Sequence, residues 1–145
     1  AWTQIPGLQT TVEVNHPANK INLLFQSGVE MPNTYNSENS TSYFVRYACG
    51  VFMNDQLVAL RGDQINGVNN KNAENQAIYT LSYVLSDMPA GTYTLKVACR
   101  KIRTSTGGNY ELAIGRALSS GTQVANNFML SSNLKVDVME YITND

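Results

Sequence analysis

The sequence predicts an all-β domain, a sandwich or barrel of about ten short antiparallel strands. Three observations carry this reading. Apolar residues alternate with period two over several long stretches, the signature of half-buried strands. Charged residues are only 14% of the 145, whereas helix surfaces are normally filled with Glu, Lys and Arg. Polarity rests instead on Asn, Thr, Ser and Gln, which suit turns and pleated surfaces. No amphipathic helix, solenoid repeat or linker interrupts the pattern, and the length fits a single domain over residues 1–145.

The elements follow in order. Trp2–Ile5, Gln9–Val14 and Ile21–Gln26 read as short pieces, punctuated by Pro6-Gly7, His16-Pro17 and Met31-Pro32. Tyr43–Met53 is the strongest strand: Tyr43, Val45, Tyr47, Cys49, Val51 and Met53 form a bulky face for the core, and Phe44, Arg46, Ala48, Gly50 and Phe52 a mixed one. Asn54-Asp55 reads as a tight hairpin turn, because both residues visit positive φ at low cost. Gln56–Ile65 is the return strand, and residues 66–72 a polar loop. Gln76–Ser86 alternates again. Pro89 and Gly91 break the chain before Thr92–Arg103, where Tyr93, Leu95, Val97 and Cys99 share one side. Tyr110–Arg116 and Asn126–Leu130 are short strands. The last strand, Asn133–Ile142, opposes Leu134, Val136 and Val138 to Lys135, Asp137, Met139 and Tyr141.

Composition excludes several functions. Ten Lys and Arg against eleven Asp and Glu leave a net charge of −1, without the cation surplus that a nucleic-acid partner requires. No apolar run approaches the roughly 20 residues of a membrane span. The single His16 precedes a proline in a loop, with nothing to suggest a triad. Glu30, Glu38, Asp55, Asp63, Asp87 and Glu111 sit mostly in or near turns, where carboxylates are solvated, so no catalytic pair stands out and the chain reads as a non-enzyme. Two Cys and one His cannot close a zinc site. Residues 63–70 have a calcium-loop composition but place Ile65 and Gly67 where ligands belong, so turn chemistry is the reading, a calcium ion held by loop Asn and Asp oxygens is the lesser alternative, and no other metal or cofactor is expected. Cys49 and Cys99 fall mid-strand on apolar faces and are expected to be buried free thiols rather than a disulfide. Asn39-Ser40-Thr41 fits a glycosylation triplet.

The order of elements carries more. An aromatic strand (Tyr43–Met53), a tight Asn turn, a return strand through Leu60-Arg61-Gly62-Asp63, a loop to Gly91, then Thr92-Tyr93-Thr94-Leu95-Lys96-Val97 and a closing apolar strand resemble the globular heads of the complement 1q and tumour necrosis factor superfamily. The opening Trp2-Thr3-Gln4-Ile5-Pro6-Gly7-Leu8 is similar to the start of related domains at the tips of phage fibres and bacterial surface proteins. The resemblance implies a jelly-roll β-sandwich and a homotrimeric, non-enzymatic attachment head of a longer fibre or surface protein. Such a head would be extracellular or on a virion surface and would bind a glycan or protein. A monomeric carbohydrate-binding module and a purely structural capsid or fibre protein are the alternatives. The resemblance also implies that the first, last, aromatic and post-Gly91 strands share one sheet. Its outer face would then form a trimer interface from Phe44, Arg46, Phe52, Lys96, Arg100, Asp137, Met139 and Tyr141, with cations meeting Asp137. In that sheet a Cys49–Cys99 bridge is feasible but not required. Ligand contacts are expected from loop residues Tyr35, Asn36, Asn69, Asn70, Asn109 and Tyr110, whose chemistry suits hydrogen bonding and stacking.

Overall fold

The computed structural model describes residues 1–31, 42–68, 75–105, 112–115 and 131–142. Among these residues the chain forms eight strands: β1 (Thr3–Val14), β2 (Asn19–Met31), β3 (Ser42–Met53), β4 (Gln56–Val68), β5 (Asn75–Ser86), β6 (Gly91–Thr104), β7 (Ala113–Ile114) and β8 (Asn133–Glu140). They make a two-sheet antiparallel β-sandwich. The first sheet has the order β1-β6-β3-β4. In the second, β5 flanks one side of β2, while β8 and β7 share its other side, β8 opposite Asn19–Gln26 and β7 opposite Val29 and Glu30.

Period-two alternation becomes two facing apolar surfaces. The whole β3 set from Tyr43 to Met53 is buried, as are Leu95, Val97 and Cys99 of β6. They meet Ile21, Leu23 and Phe25 of β2 and Tyr79 and Leu81 of β5. Each such side chain contributes roughly 1.5–3 kcal/mol on leaving water. Tyr79 occupies the middle, its ring 5.6 Å from Tyr47 and 5.8 Å from Phe25. Its hydroxyl lies 2.7 Å from the Arg61 carbonyl and 3.2 Å from that of Cys49, so a phenol on the second sheet donates to the backbone of the first. Burial pushes the Tyr79 phenol up to about 12 and raises that of Tyr47 further, with the Asp63 charge adding to the effect at Tyr47.

Local chemistry fixes the corners. Asn54 and Asp55 adopt φ of 48° and 66°, the paired positive values of the tight hairpin that their sequence predicts. The Asn54 carboxamide accepts the Thr94 amide at 2.9 Å, which ties this turn to β6. At a second corner, also beside the start of β6, Asn19 is fully buried. Its amide nitrogen donates to the carbonyls of His16 and Met88, both at 2.7 Å, and its oxygen accepts from the Met88 amide at 3.1 Å. One side chain thus joins the β1–β2 turn to the β5–β6 connection, and the group is satisfied, as a buried amide must be.

Three expectations are corrected. Cys49 and Cys99 are not free thiols: they form a disulfide, with Cα atoms 4.0 Å apart. β3 and β6 are neighbours whose register places these two residues directly opposite each other. The last strand does not join the sheet of β1, β3 and β6. It pairs with β2, where Val138 faces Ile21, Val136 faces Leu23 and Leu134 faces Phe25, so apolar residues align along the shared face. Residues 66–68 are not loop. β4 runs through them, with Asn66, Gly67 and Val68 opposite Phe44, Tyr43 and Ser42. The early pieces are also longer than their punctuation suggests, because Pro6-Gly7 sits in an irregularity between Gln4 and Gln9 within β1 rather than ending it.

Candidate functional site

The outer face of the first sheet is unlike an ordinary solvated surface. Its floor is made of small residues: Ala48, Gly50 and Ala98 are buried although they point away from the core. Over Gly50 lie Trp2 and Leu57, and Phe52 packs against Trp2. A Cβ on Gly50 would stand 2.6 Å from Leu57 Cδ1, 3.0 Å from the Ala59 carbonyl and 3.6 Å from Trp2 Cη2. Glycine is the residue that lets this layer lie flat on β3. Trp2 meets Phe52 edge-to-face at 5.3 Å, the arrangement that ring quadrupoles favour.

Cations complete the layer. Arg100 Cζ lies 5.8 Å from the Trp2 ring and Arg46 Cζ 5.2 Å from the Phe44 ring, both within cation–π range. Arg46 Nε also donates to Gln64 at 2.7 Å, and Gln64 in turn to Asn66 at 2.6 Å. Lys96, opposite Phe52, is 3.5 Å from Asp55. Beside Arg100 a cleft of about 470 Å³ opens between β1, β6 and the Leu112–Ile114 segment, within the usual size range of ligand pockets.

Five of the eight residues expected at an interface therefore share one face: Phe44, Arg46, Phe52, Lys96 and Arg100. Asp137, Met139 and Tyr141 do not join them, because β8 belongs to the other sheet. Asp137 lies 3.6 Å from Lys135 on its own strand, so the expected pairing of Asp137 with the cations of one sheet face is absent. Trp2 was missed by the strand pattern, yet it anchors the face. It is the only Trp in the chain, and Gly50 within an aromatic strand marks where it lands. The loop residues Tyr35, Asn36, Asn69, Asn70, Asn109 and Tyr110 lie outside the described residues, as does Asn39.

The polar candidates for chemistry are dispersed. Glu140 accepts the backbone amides of Asn15 and His16 rather than orienting an imidazole. Glu30 is buried and accepts from Gln76 at 2.7 Å. Asp63 lies 3.9 Å from Arg61. Asp63 to Val68, the start of the calcium-like stretch, are strand residues paired with β3. Among the described residues no group of three or more His, Cys, Asp or Glu is placed to hold a metal ion, and no helix is long and apolar enough to cross a membrane. No protein-family model matches the chain, and no curated protein matches it in sequence.

Proposed function

We propose that the domain is a non-enzymatic recognition head that attaches its parent protein to a surface ligand through the outer face of the first sheet. The observation that carries this is the Trp2–Phe52–Arg100 layer over Gly50, an aromatic and cationic surface on a rigid sheet. Rigid aromatic anchors supply contact area at little entropic cost. The dispersal of His16, Glu30 and Asp63 into separate structural contacts supports the non-enzymatic part. The Cys49–Cys99 bridge supports an extracellular or virion-surface setting, since disulfides persist in oxidising compartments. The test is a printed glycan array probed with the wild-type domain and with Trp2→Ala/Phe52→Ala. Binding that is lost in the variant, with the melting temperature retained to within a few degrees, is expected. Binding that survives the double substitution overturns the assignment of this face.

A second reading, homotrimeric assembly, draws on a different surface. The outer face of the second sheet exposes Leu24 (39%), Ile78 (59%), Val84 (48%) and Met139 (48%), alongside Lys135 and Asp137. Because both charge signs are present, a second copy meets it without net repulsion. Light scattering at micromolar concentration tests this: a trimer that Leu24→Asp and Met139→Asp dissociate is expected, and a monomeric wild type overturns it.

A further inference from the structure

We infer that the recognition face takes an anionic polysaccharide, one whose sugars bear carboxylate or sulfate groups, at a cluster formed by Arg46, Arg100 and Arg103. This deepens the proposed function and rests on it. Arg103 stands opposite Arg46 across the β6–β3 ladder, and Arg100 opposite Ala48, the next outward residue of β3, with a register shift at Ile102 between the two pairs. Directly opposed residues of one face, as Arg46 and Arg103 are, lie about 5 Å apart at Cβ. Like charges at that spacing destabilise a sheet unless a counter-charge lies among them.

The described residues supply none. The ion pairs Arg61–Asp63, Lys96–Asp55 and Lys135–Asp137 involve none of the three arginines. The outward acid on β1, Glu13, lies opposite Thr92, at the far end of β6 from Arg100. All three arginines are exposed. A guanidinium fork matches a carboxylate or sulfate in bidentate geometry. Two of the forks are already held over rings: Arg46 over Phe44 and Arg100 over Trp2. Ordering them costs a ligand less than ordering free side chains. Rings beside forks match a chain that alternates apolar sugar faces with fixed negative groups. A nucleic acid would meet the same cations, but the overall charge of −1 offers no wider field to hold a duplex.

The experiment measures binding of the whole domain to hyaluronan and polygalacturonate (carboxylate), heparin (sulfate), dextran and galactomannan (neutral), and duplex DNA. Expected is binding to at least one acidic polysaccharide, at least tenfold tighter than to either neutral one. Arg46→Gln and Arg103→Gln should each weaken it by about tenfold, and Trp2→Ala should weaken it too. The arm that binds separates carboxylate from sulfate recognition. Equal binding to neutral polymers overturns the anionic class and leaves the recognition head standing. Binding to no polysaccharide overturns both. DNA bound as tightly as any glycan, with no effect of Trp2→Ala, reduces the cluster to a nonspecific cation field and overturns the inference.

Discussion

Reducing the Cys49–Cys99 bond is the most informative single perturbation of the fold. The two residues are 50 positions apart. Closing a loop of that length removes roughly 4 kcal/mol of chain entropy from the unfolded state in the simplest polymer description. A domain of this kind has about 5–15 kcal/mol of stability in all, so the bond carries a large share. Both cysteines are buried, at 0% and 6% exposure, so reduction needs a denaturant or a strong reductant, and the thiols afterwards occupy nearly the same volume. The expected unfolding entropy of 145 residues translates that loss into a fall of roughly 13 °C in melting temperature. The assay is paired urea denaturation of oxidised protein and of protein reduced while unfolded and then refolded, with thiol titration of each. A difference below about 1 kcal/mol would refute the reasoning that the bridge acts chiefly on the unfolded chain. Two titratable thiols in the untreated unfolded protein would refute the bridge itself.

Three further outcomes follow from the geometry. Gly50→Val should destabilise by about 1–3 kcal/mol through overpacking against Leu57 and the Ala59 carbonyl. It should also lift Trp2 off the sheet, read directly as a red shift in the fluorescence of the sole Trp. Asn19→Ala leaves the Met88 amide and two carbonyls without their partner and should cost about 2–4 kcal/mol in urea denaturation. Tyr79 should give an alkaline unfolding limb. Its folded pKa of about 12 is raised from 10.0 by burial, so its stabilisation is complete below pH 10 and is lost as pH rises from there toward 12. Tyrosinate absorbance should show the buried phenols ionising together with unfolding, and Tyr79→Phe should reduce the pH dependence in that window.

Much of the sandwich was legible because alternation reports which side of a strand is buried. Tyr43 to Met53, Leu95 to Cys99 and Leu134 to Val138 all turn the predicted side inward, and Asn54-Asp55 encodes its turn locally. Alternation does not report which strand lies alongside. The apolar side of β8 would fit either sheet, and only its match to Ile21, Leu23 and Phe25 in three dimensions decides. The same ambiguity hid the disulfide: two mid-strand cysteines are indistinguishable from small hydrophobes until register sets them opposite each other. Asn66 to Val68 look like loop because Asn and Gly favour turns, yet pairing with the strongly apolar β3 overrides that preference. Trp2 escaped because its partners Gly50, Phe52 and Arg100 are distant in sequence.

The position of the bridge gives the domain a mechanical character. β3 and β6 are the two central strands of their sheet, and the bond joins them side by side. Tension applied between the two ends of the chain would travel to Cys49, cross the sulfur atoms and leave at Cys99. The turn at Asn54, all of β4 and β5, and most of β6 lie inside that shortcut and feel no pull. Roughly 170 Å of extensible contour is withheld. Under shear, β1 would peel from β6 at the outside of the sheet and take Trp2 with it, and Arg46, Arg100 and Arg103 lie on the loaded side of the bridge, so tension on the chain ends would release a ligand from that face while residues 49–99 kept their fold.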